Sequence, residues 1–418
     1  MAKVILLPVG IGLAHVGRLV EVAKQLQKKR IEVIFGAGGD AVPILKKEKF
    51  EVKILPELER SVYEDKIKHN NPSVYTRANL ERFVLSEIAL FKKEKPDLVV
   101  YDFRFTAKIS ASILKIPSVS ILNVDMTPFY DMSKTKFPVQ TTLIKYLPRK
   151  LSGLLNKKYS QKFLTRVGMN IIQALFVKEL VKLSPMLLKL GFRPGRSPYQ
   201  LFLGDLTLIA DVPQFRPVKR LPENVVMVGP LFWESNANLP SWHRKLDTGK
   251  KIIYVTAGGT GDRKVFLTLL KYLKVFSKDY NIVATTGNTL KLDEVKISFP
   301  GLFVTDFLPG KWIMEKATLV IFPGGNSTCY QALYFGVPQI CTPFHIDQED
   351  NVNQLERLGT GMMINPYTDL SSDTLISGVR KVISDRNYKI NCLKFKKILN
   401  QYDGAKKAAE EIVKLFNN

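Results

Sequence analysis

The sequence predicts an α/β protein of two parallel-sheet domains, and three observations carry that prediction. The chain has 418 residues, which suits two domains of roughly 200 residues better than one. Short apolar runs alternate with stretches of helical spacing in both halves. Each half also places a glycine-rich turn directly after its first apolar run.

In the first half, KVILLPV (3–9) reads as a strand ending at glycine. Residues 16–30 carry Val16, Leu19, Val20, Ala23 and Leu26 at helical spacing. IEVIFGAGG (31–39), FEVKILP (50–56), DLVVYDF (97–103) and IPSVSILNV (116–124) read as further strands, with LTLIADV (206–212) and VVMVGP (225–230) returning later. Strands separated by helices imply parallel pairing with right-handed crossovers. The opening VILLPVGIGLA also invites a signal-peptide reading, but no small-residue cleavage site precedes a polar start. The chain is therefore expected in the cytoplasm.

Residues 126–200 break this rhythm. Between 134 and 190 there are twelve Lys or Arg and one acid, Glu179, with apolar residues interleaved. This reads as basic amphipathic helices inserted in the first domain. Residues 233–249, with Pro240 and Gly249, read as the linker. A second α/β pattern follows in KIIYVTAGGTG (251–261), YNIVATTG (280–287), GLFVTDFLP (301–309), ATLVIFPGG (317–325) and VPQICTPF (337–344). The domains are expected at 1–232 and 250–400, with a last helix at 401–418 that can cross back to the first.

Composition narrows the partners. Apolar residues make up 45% of the chain, enough for two cores, yet no run is long enough to span a bilayer. Cys329, Cys341 and Cys392 are odd in number and fit no zinc or redox spacing. The net charge of +24 points to an anionic partner, unless it is lysine-rich composition without one. Nucleic acid is not expected, because no motif for it is present.

Ligands of open α/β sheets bind at the carboxyl ends of the strands. Gly10-Ile11-Gly12, Gly258-Gly259-Thr260-Gly261 and Gly324-Gly325-Asn326-Ser327-Thr328 all fall there. The last opens a helix, whose unpaired N–H groups suit a diphosphate. His15 follows the first of these turns and Asp102 ends a strand on the same edge. A carboxylate behind an imidazole is the arrangement of a general base, although each residue alone also reads as a cap or packing residue. Asp347-Gln348 can grip sugar hydroxyls or form a solvated loop. No Asp-x-Asp pair occurs, which argues against a metal-held diphosphate.

Segment 317–361 closely resembles the donor-binding signature of UDP-glycosyltransferases of the GT-B fold. PVGIGLAHVGRLVEVAKQLQKKRIEVIF is similar to that family's acceptor-domain opening, and LPENVVMVGP to its approach to the linker. The resemblance implies two Rossmann-like parallel-sheet domains facing a central cleft, and inverting transfer from a UDP-sugar to a hydroxyl acceptor. It implies His15 as the catalytic base, supported by Asp102. It implies Thr328 on a phosphate, Asp347 and Gln348 on the donor sugar, and Phe307-Leu308-Pro309 at the uracil. Thr256, Gly258 and Gly259 would face the diphosphate. Gly12, Gly324, Gly325, Asn326, Ser327 and Gln331 complete the expected donor-binding set, with no metal and no cofactor. Three positions depart from the family pattern: Pro323 replaces a phosphate-binding histidine, Gln331 a ribose-binding glutamate, and Gly310 a glutamine.

For the basic segment, one expectation is docking to an anionic membrane that presents a lipid or hydrophobic acceptor. The other is a flap over a small soluble one. A sugar-nucleotide epimerase and a catalytically silent sugar-nucleotide binder stay open as alternatives.

Overall fold

The computed structural model describes residues 2–68, 75–142, 158–195, 197–235, 237–287 and 289–417. The chain divides into two compact units, one of Met1–Lys134, Thr165–Trp233 and Tyr402–Asn418, the other of Thr135–Leu164 and Glu234–Gln401.

The first unit is built on a seven-stranded sheet in the order β3-β2-β1-β4-β5-β6-β7. Its strands are β1 (Lys3–Pro8), β2 (Glu32–Ala37), β3 (Glu51–Ile54), β4 (Leu98–Asp102), β5 (Ser118–Leu122), β6 (Leu206–Ile209) and β7 (Val225–Met227). Every pairing is parallel. The central strands β1 and β4 bury both faces, which is why their runs are apolar rather than alternating, whereas the edge strand β3, EVKI, alternates. Val4 and Leu6 pack into one core with Leu19, Val20 and Ala23 of the Leu13–Lys28 helix, whereas Ile5 and Leu7 pack into a second with Phe91.

The second unit has six parallel strands in the order β10-β9-β8-β11-β12-β13. They are β8 (Lys251–Thr256), β9 (Tyr280–Thr285), β10 (Leu302–Thr305), β11 (Ala317–Phe322), β12 (Gln339–Cys341) and β13 (Gly361–Met363). The edge strand β13 is absent from the sequence reading, because three residues, GMM, give no periodicity to detect.

Both sheets reverse their winding once. In the first, the chain runs outward from β1 to β3 and then resumes on the other side of β1 with β4. In the second, β8 and β11 play the same parts. Such a switch point leaves a crevice at the carboxyl ends of the two central strands, where ligands of doubly wound sheets bind. His15 and Asp102 flank the first switch point; residues 256–261 and 323–328 flank the second.

The segment 126–200 is not a single insertion in the first unit. Its described residues from Thr135 to Thr142 belong with the second. The cause is a buried carboxylate. Glu349 accepts from the backbone N–H of Gln140 (2.9 Å) and Thr141 (2.6 Å) and from the Thr141 hydroxyl (2.7 Å). Asn365 adds a bond to Gln140 Oε1. Residues 143–157, part of the predicted basic helices, lie outside the described residues. Beyond them a single helix runs over Lys158–Lys189, and its apolar residues are not gathered on one face. Leu180 and Leu187 are buried against Leu80, Val84 and Ile109, while Ile171, Leu175, Val181 and Leu188 are exposed.

The predicted linker 233–249 is fixed by two tryptophans, one at its start and one near its middle. Trp233 Nε1 donates to Glu48 Oε1 in the first unit, and Trp242 Nε1 to the Val304 carbonyl in the second. The C-terminal helix Gly404–Asn417 buries Ala408, Ala409 and Ile412 in the core of the first unit, against Leu13–Lys28. Ile412→Ala is therefore expected to lower unfolding stability by about 2–5 kcal/mol, read as a shift of the urea midpoint.

Candidate functional site

In the first unit, β1 ends at Pro8, paired with Asp102 of β4. The chain turns through Gly10 and Gly12, and Gly12 at φ +98° delivers the backbone into the Leu13–Lys28 helix. An L-residue would resist that conformation. The turn places His15 over the end of β4. His15 Nδ1 lies 2.7 Å from Oδ1 of Asp102, whose side chain has no solvent exposure. Against an ionised Asp102, this bond puts the hydrogen on Nδ1 and leaves Nε2 its lone pair. Gly12, grouped with the donor set by sequence, sits here, three residues from His15.

Two further residues shape this pair, and sequence reasoning missed both. Phe103 stacks on His15, with ring centroids 5.3 Å apart and planes at 21°. Its backbone is left-handed at φ 57°, a conformation that a bulky residue adopts at a cost. The position next to Asp102 was the only available hint. From Phe103 an aromatic row continues through Phe202 and Phe105 to Tyr75 and Phe83. The other is Arg18, whose Nη2 donates to Asp102 Oδ1 at 2.7 Å. Its helical spacing from His15, i to i+3, was visible in the sequence.

In the second unit, Thr256 ends β8, and its hydroxyl accepts from Thr285 and from the Gly258 backbone N–H. That closes the Ala257–Gly261 turn. Gly258 has φ +62° and Gly259 is exposed. Across the switch point, β11 ends at Phe322 and Gly325 precedes the Asn326–Phe335 helix with no side-chain cap. The first N–H groups of that helix are thus left for a ligand. A Cβ at Gly325 would meet nothing within 4 Å, so the helix start is open. Gly324, at φ +103°, is the tight position. A Cβ there would come 2.9 Å from Val352 and 3.0 Å from the Gln348 carbonyl. Asn326, Ser327 and Thr328 line the first turn, half-buried. Asn351, fully buried, donates to the Gly324 carbonyl at 2.8 Å and so fixes the loop from behind; the sequence reading passed over it.

The expected sugar pair divides in two. Asp347 is about half exposed and bonded to His345 Nδ1. Gln348 is 1% exposed. Its Oε1 accepts from the Phe344 N–H and its Nε2 donates to Thr260, both at 2.9 Å. Gln348 thereby ties the β8 turn to the Ile346–Arg357 helix. Near β10, Leu308 is buried and Phe307 half-buried. The Phe307 N–H is taken by Asp306 Oδ1.

The three departing positions sit in close-packed surroundings. The Pro323 ring packs beside Gly261, with Cγ 3.2 Å from where a Cβ on that glycine would sit. Gln331 and Gly310 are linked, because a Cβ on Gly310 would fall 2.7 Å from Gln331 Oε1. The amide occupies the space that a side chain at 310 would need.

Among the described residues no His/Cys/Asp/Glu group could hold a metal, and no helix is long and apolar enough to cross a membrane. Residues 252–412 match the family model described as the glycosyltransferase family 28 C-terminal domain. A PGL/p-HBAD biosynthesis rhamnosyltransferase of Mycobacterium bovis is 28% identical over 390 residues, 93% of this chain and 82% of its own. A Bacillus subtilis protein named as an uncharacterized UDP-glucosyltransferase is 25% identical over 329 residues, 77% of this chain and 73% of its own. Among solved structures, a spinosyn rhamnosyltransferase complexed with thymidine diphosphate superposes with TM-score 0.67 at 14% identity, over 100% of both chains.

Beside Asp347, burial pushes the Glu349 carboxyl up to about 7, against the pull of its donors on Gln140 and Thr141. A carboxyl raised on folding holds its proton longer in the native state. Its contribution to stability is present below the ordinary value near 4.5 and is lost as pH rises through about 7. Urea midpoints measured from pH 4.5 to 7.5 should carry this downward slope, and Glu349→Gln should flatten it.

Proposed function

From the premise that this chain is a glycosyltransferase of the GT-B fold, we propose that it transfers a sugar, with inversion, from a pyrimidine nucleoside diphosphate to a hydroxyl acceptor. The observation that carries this reading is the His15–Asp102 pair, which leaves a basic Nε2 on a half-buried imidazole. The acceptor oxygen attacks the anomeric carbon as the bond from that carbon to the diphosphate oxygen breaks. The acceptor proton passes to His15 Nε2, and the electron pair leaves on the diphosphate. Asp102 stabilises the imidazolium that forms. The uncapped helix start at Asn326–Thr328 stabilises the leaving charge. We read the reaction as metal-independent, since the sequence has no Asp-x-Asp pair to hold a metal diphosphate.

UDP is the first donor reading, supported by the 317–361 signature and by the Bacillus subtilis relative's name. A thymidine diphosphate sugar is the second. The ligand named for the spinosyn enzyme favours it, as does Gln331, an amide in place of the ribose-binding carboxylate. For the acceptor we propose a lipid or other hydrophobic alcohol. The aromatic row that starts at His15 supports this, and the Mycobacterium bovis relative's name points to PGL/p-HBAD products. Exposed Ile171, Leu175, Val181 and Leu188, beside Lys178 and Lys182, suit contact with an anionic membrane surface. The protein would then sit at the cytoplasmic membrane face.

Thermal melts with UDP and with thymidine diphosphate separate the donor readings. A ligand at a hundredfold excess over its Kd adds about 2.7 kcal/mol of stability, and only the matching nucleotide should do so. His15→Ala should keep that stabilisation and lose transfer by roughly 10²–10⁴-fold. Unchanged turnover in this variant would remove His15 as the base, and no turnover in the parent with any donor would favour the silent binder.

The membrane reading is checked by flotation with vesicles of neutral and of anionic lipid. Binding is expected to the anionic vesicles and to weaken from 50 to 500 mM salt; equal recovery with both would exclude an electrostatic surface.

A further inference from the structure

Arg18 lies one helical turn beyond His15 and is 7% exposed. Its Nη2 donates to Asp102 Oδ1 at 2.7 Å and sits 3.0 Å from His15 Nδ1. Its Nη1 donates to Asn123 Oδ1 at 2.6 Å, just past β5, and Asn123 donates to the Ala210 carbonyl just past β6. One guanidinium therefore joins the His15 helix to the ends of two adjacent strands, and Asn123 carries the link to a third.

The position of this contact matters more than its existence. A guanidinium that ties a helix to a carboxylate frequently takes both oxygens in a fork. Here Arg18 uses the single oxygen that His15 also uses. Asp102 Oδ2 and Arg18 Nε are both buried with no partner among the described residues. Guanidinium can only donate, so Nη2–H and Nδ1–H converge on Oδ1. With a neutral imidazole, the guanidinium and carboxylate charges cancel. Once Nε2 gains a proton, two cations share one oxygen. Asp102 favours that imidazolium, and a like charge at this range opposes it.

Other charges near this edge are paired among themselves. Asp211 takes Arg216 Nη1 and the Val124 N–H, and Asp125 lies 3.6 Å from Arg216 Nε. Glu57, which accepts from the Gly10 N–H, is held by Arg104. Arg18 is therefore the cation set to act on His15.

We propose that Arg18 is a positioning residue of the acceptor-activating site. It ties Asp102 to the His15 helix, fixes His15 with its proton on Nδ1, and sets a cation against the charge that His15 gains on taking the acceptor's hydrogen. This rests on His15 as the base, and it adds a residue that none of the sequence signatures assigns.

The test uses the full chain and two readouts. The first is titration of the His15 imidazole by NMR, assigned among four histidines by His15→Ala, which needs no substrate. The second is the pH profile of kcat with whichever donor turns over. In Arg18→Gln, both the His15 midpoint and the acid limb of kcat should move up by about one pH unit. Arg18→Lys, which keeps the charge, should return both toward the parent values while kcat stays low. A midpoint that does not move in Arg18→Gln, with a lowered Tm, would reduce Arg18 to a structural tie and overturn the proposal. If Arg18→Gln does not fold, Arg18→Met fills the same buried space without charge and takes its place. Absent turnover in the parent would count against the transferase reading alone, and the NMR titration would still decide the role of Arg18.

Discussion

A carboxylate removed from water must be paired or it will not stay charged, and Asp102 has no solvent exposure at all. The arrangement of the first unit's upper edge follows from that constraint. The β1–β4 register sets Pro8 opposite Asp102, and the Gly10–Gly12 turn then sends the next helix back across the end of β4. That helix brings His15 and Arg18 to the same oxygen. Phe103 accepts a left-handed backbone to lay its ring on the imidazole. Strain at one residue is offset by order in its neighbours.

In the second unit, the edge proposed to receive a diphosphate presents backbone N–H groups. The helix start after Gly325 is uncapped, and the loops around it are braced by neutral amides. Gln348 reaches Thr260, and Asn351 reaches the Gly324 carbonyl. Amides suit this work because they donate and accept without adding a charge that would compete with the ligand.

Much of this was legible in the sequence. Buried parallel strands are continuous apolar runs, so β1, β2, β4, β8 and β11 stood out, and the glycine turns marked the edges where ligands bind. Three kinds of feature were not legible. A three-residue edge strand such as β13 carries no period. In the Lys158–Lys189 helix, Leu180 and Leu187 are buried while Ile171, Leu175, Val181 and Leu188 are exposed, a division that spacing alone does not give. Side chains that act through another residue, such as Arg18 and Asn351, carry no motif of their own. Glu349 is similar. Nothing in IDQEDN reveals that one of its acids is buried and recruits a segment some two hundred positions earlier.

The crowding between Gly310 and Gln331 bears on how such a chain can change over evolutionary time. The carboxamide at 331 fills the volume that any side chain at 310 would claim. A side chain at 310 would require the Gln331 carboxamide, the far end of a flexible side chain, to swing aside. Glutamine and glutamate are of one size, so room at 310 is made by turning residue 331 and not by shrinking it. Positions 310 and 331 are therefore coupled through a rotamer, and a change at one is felt first as a turn of the other.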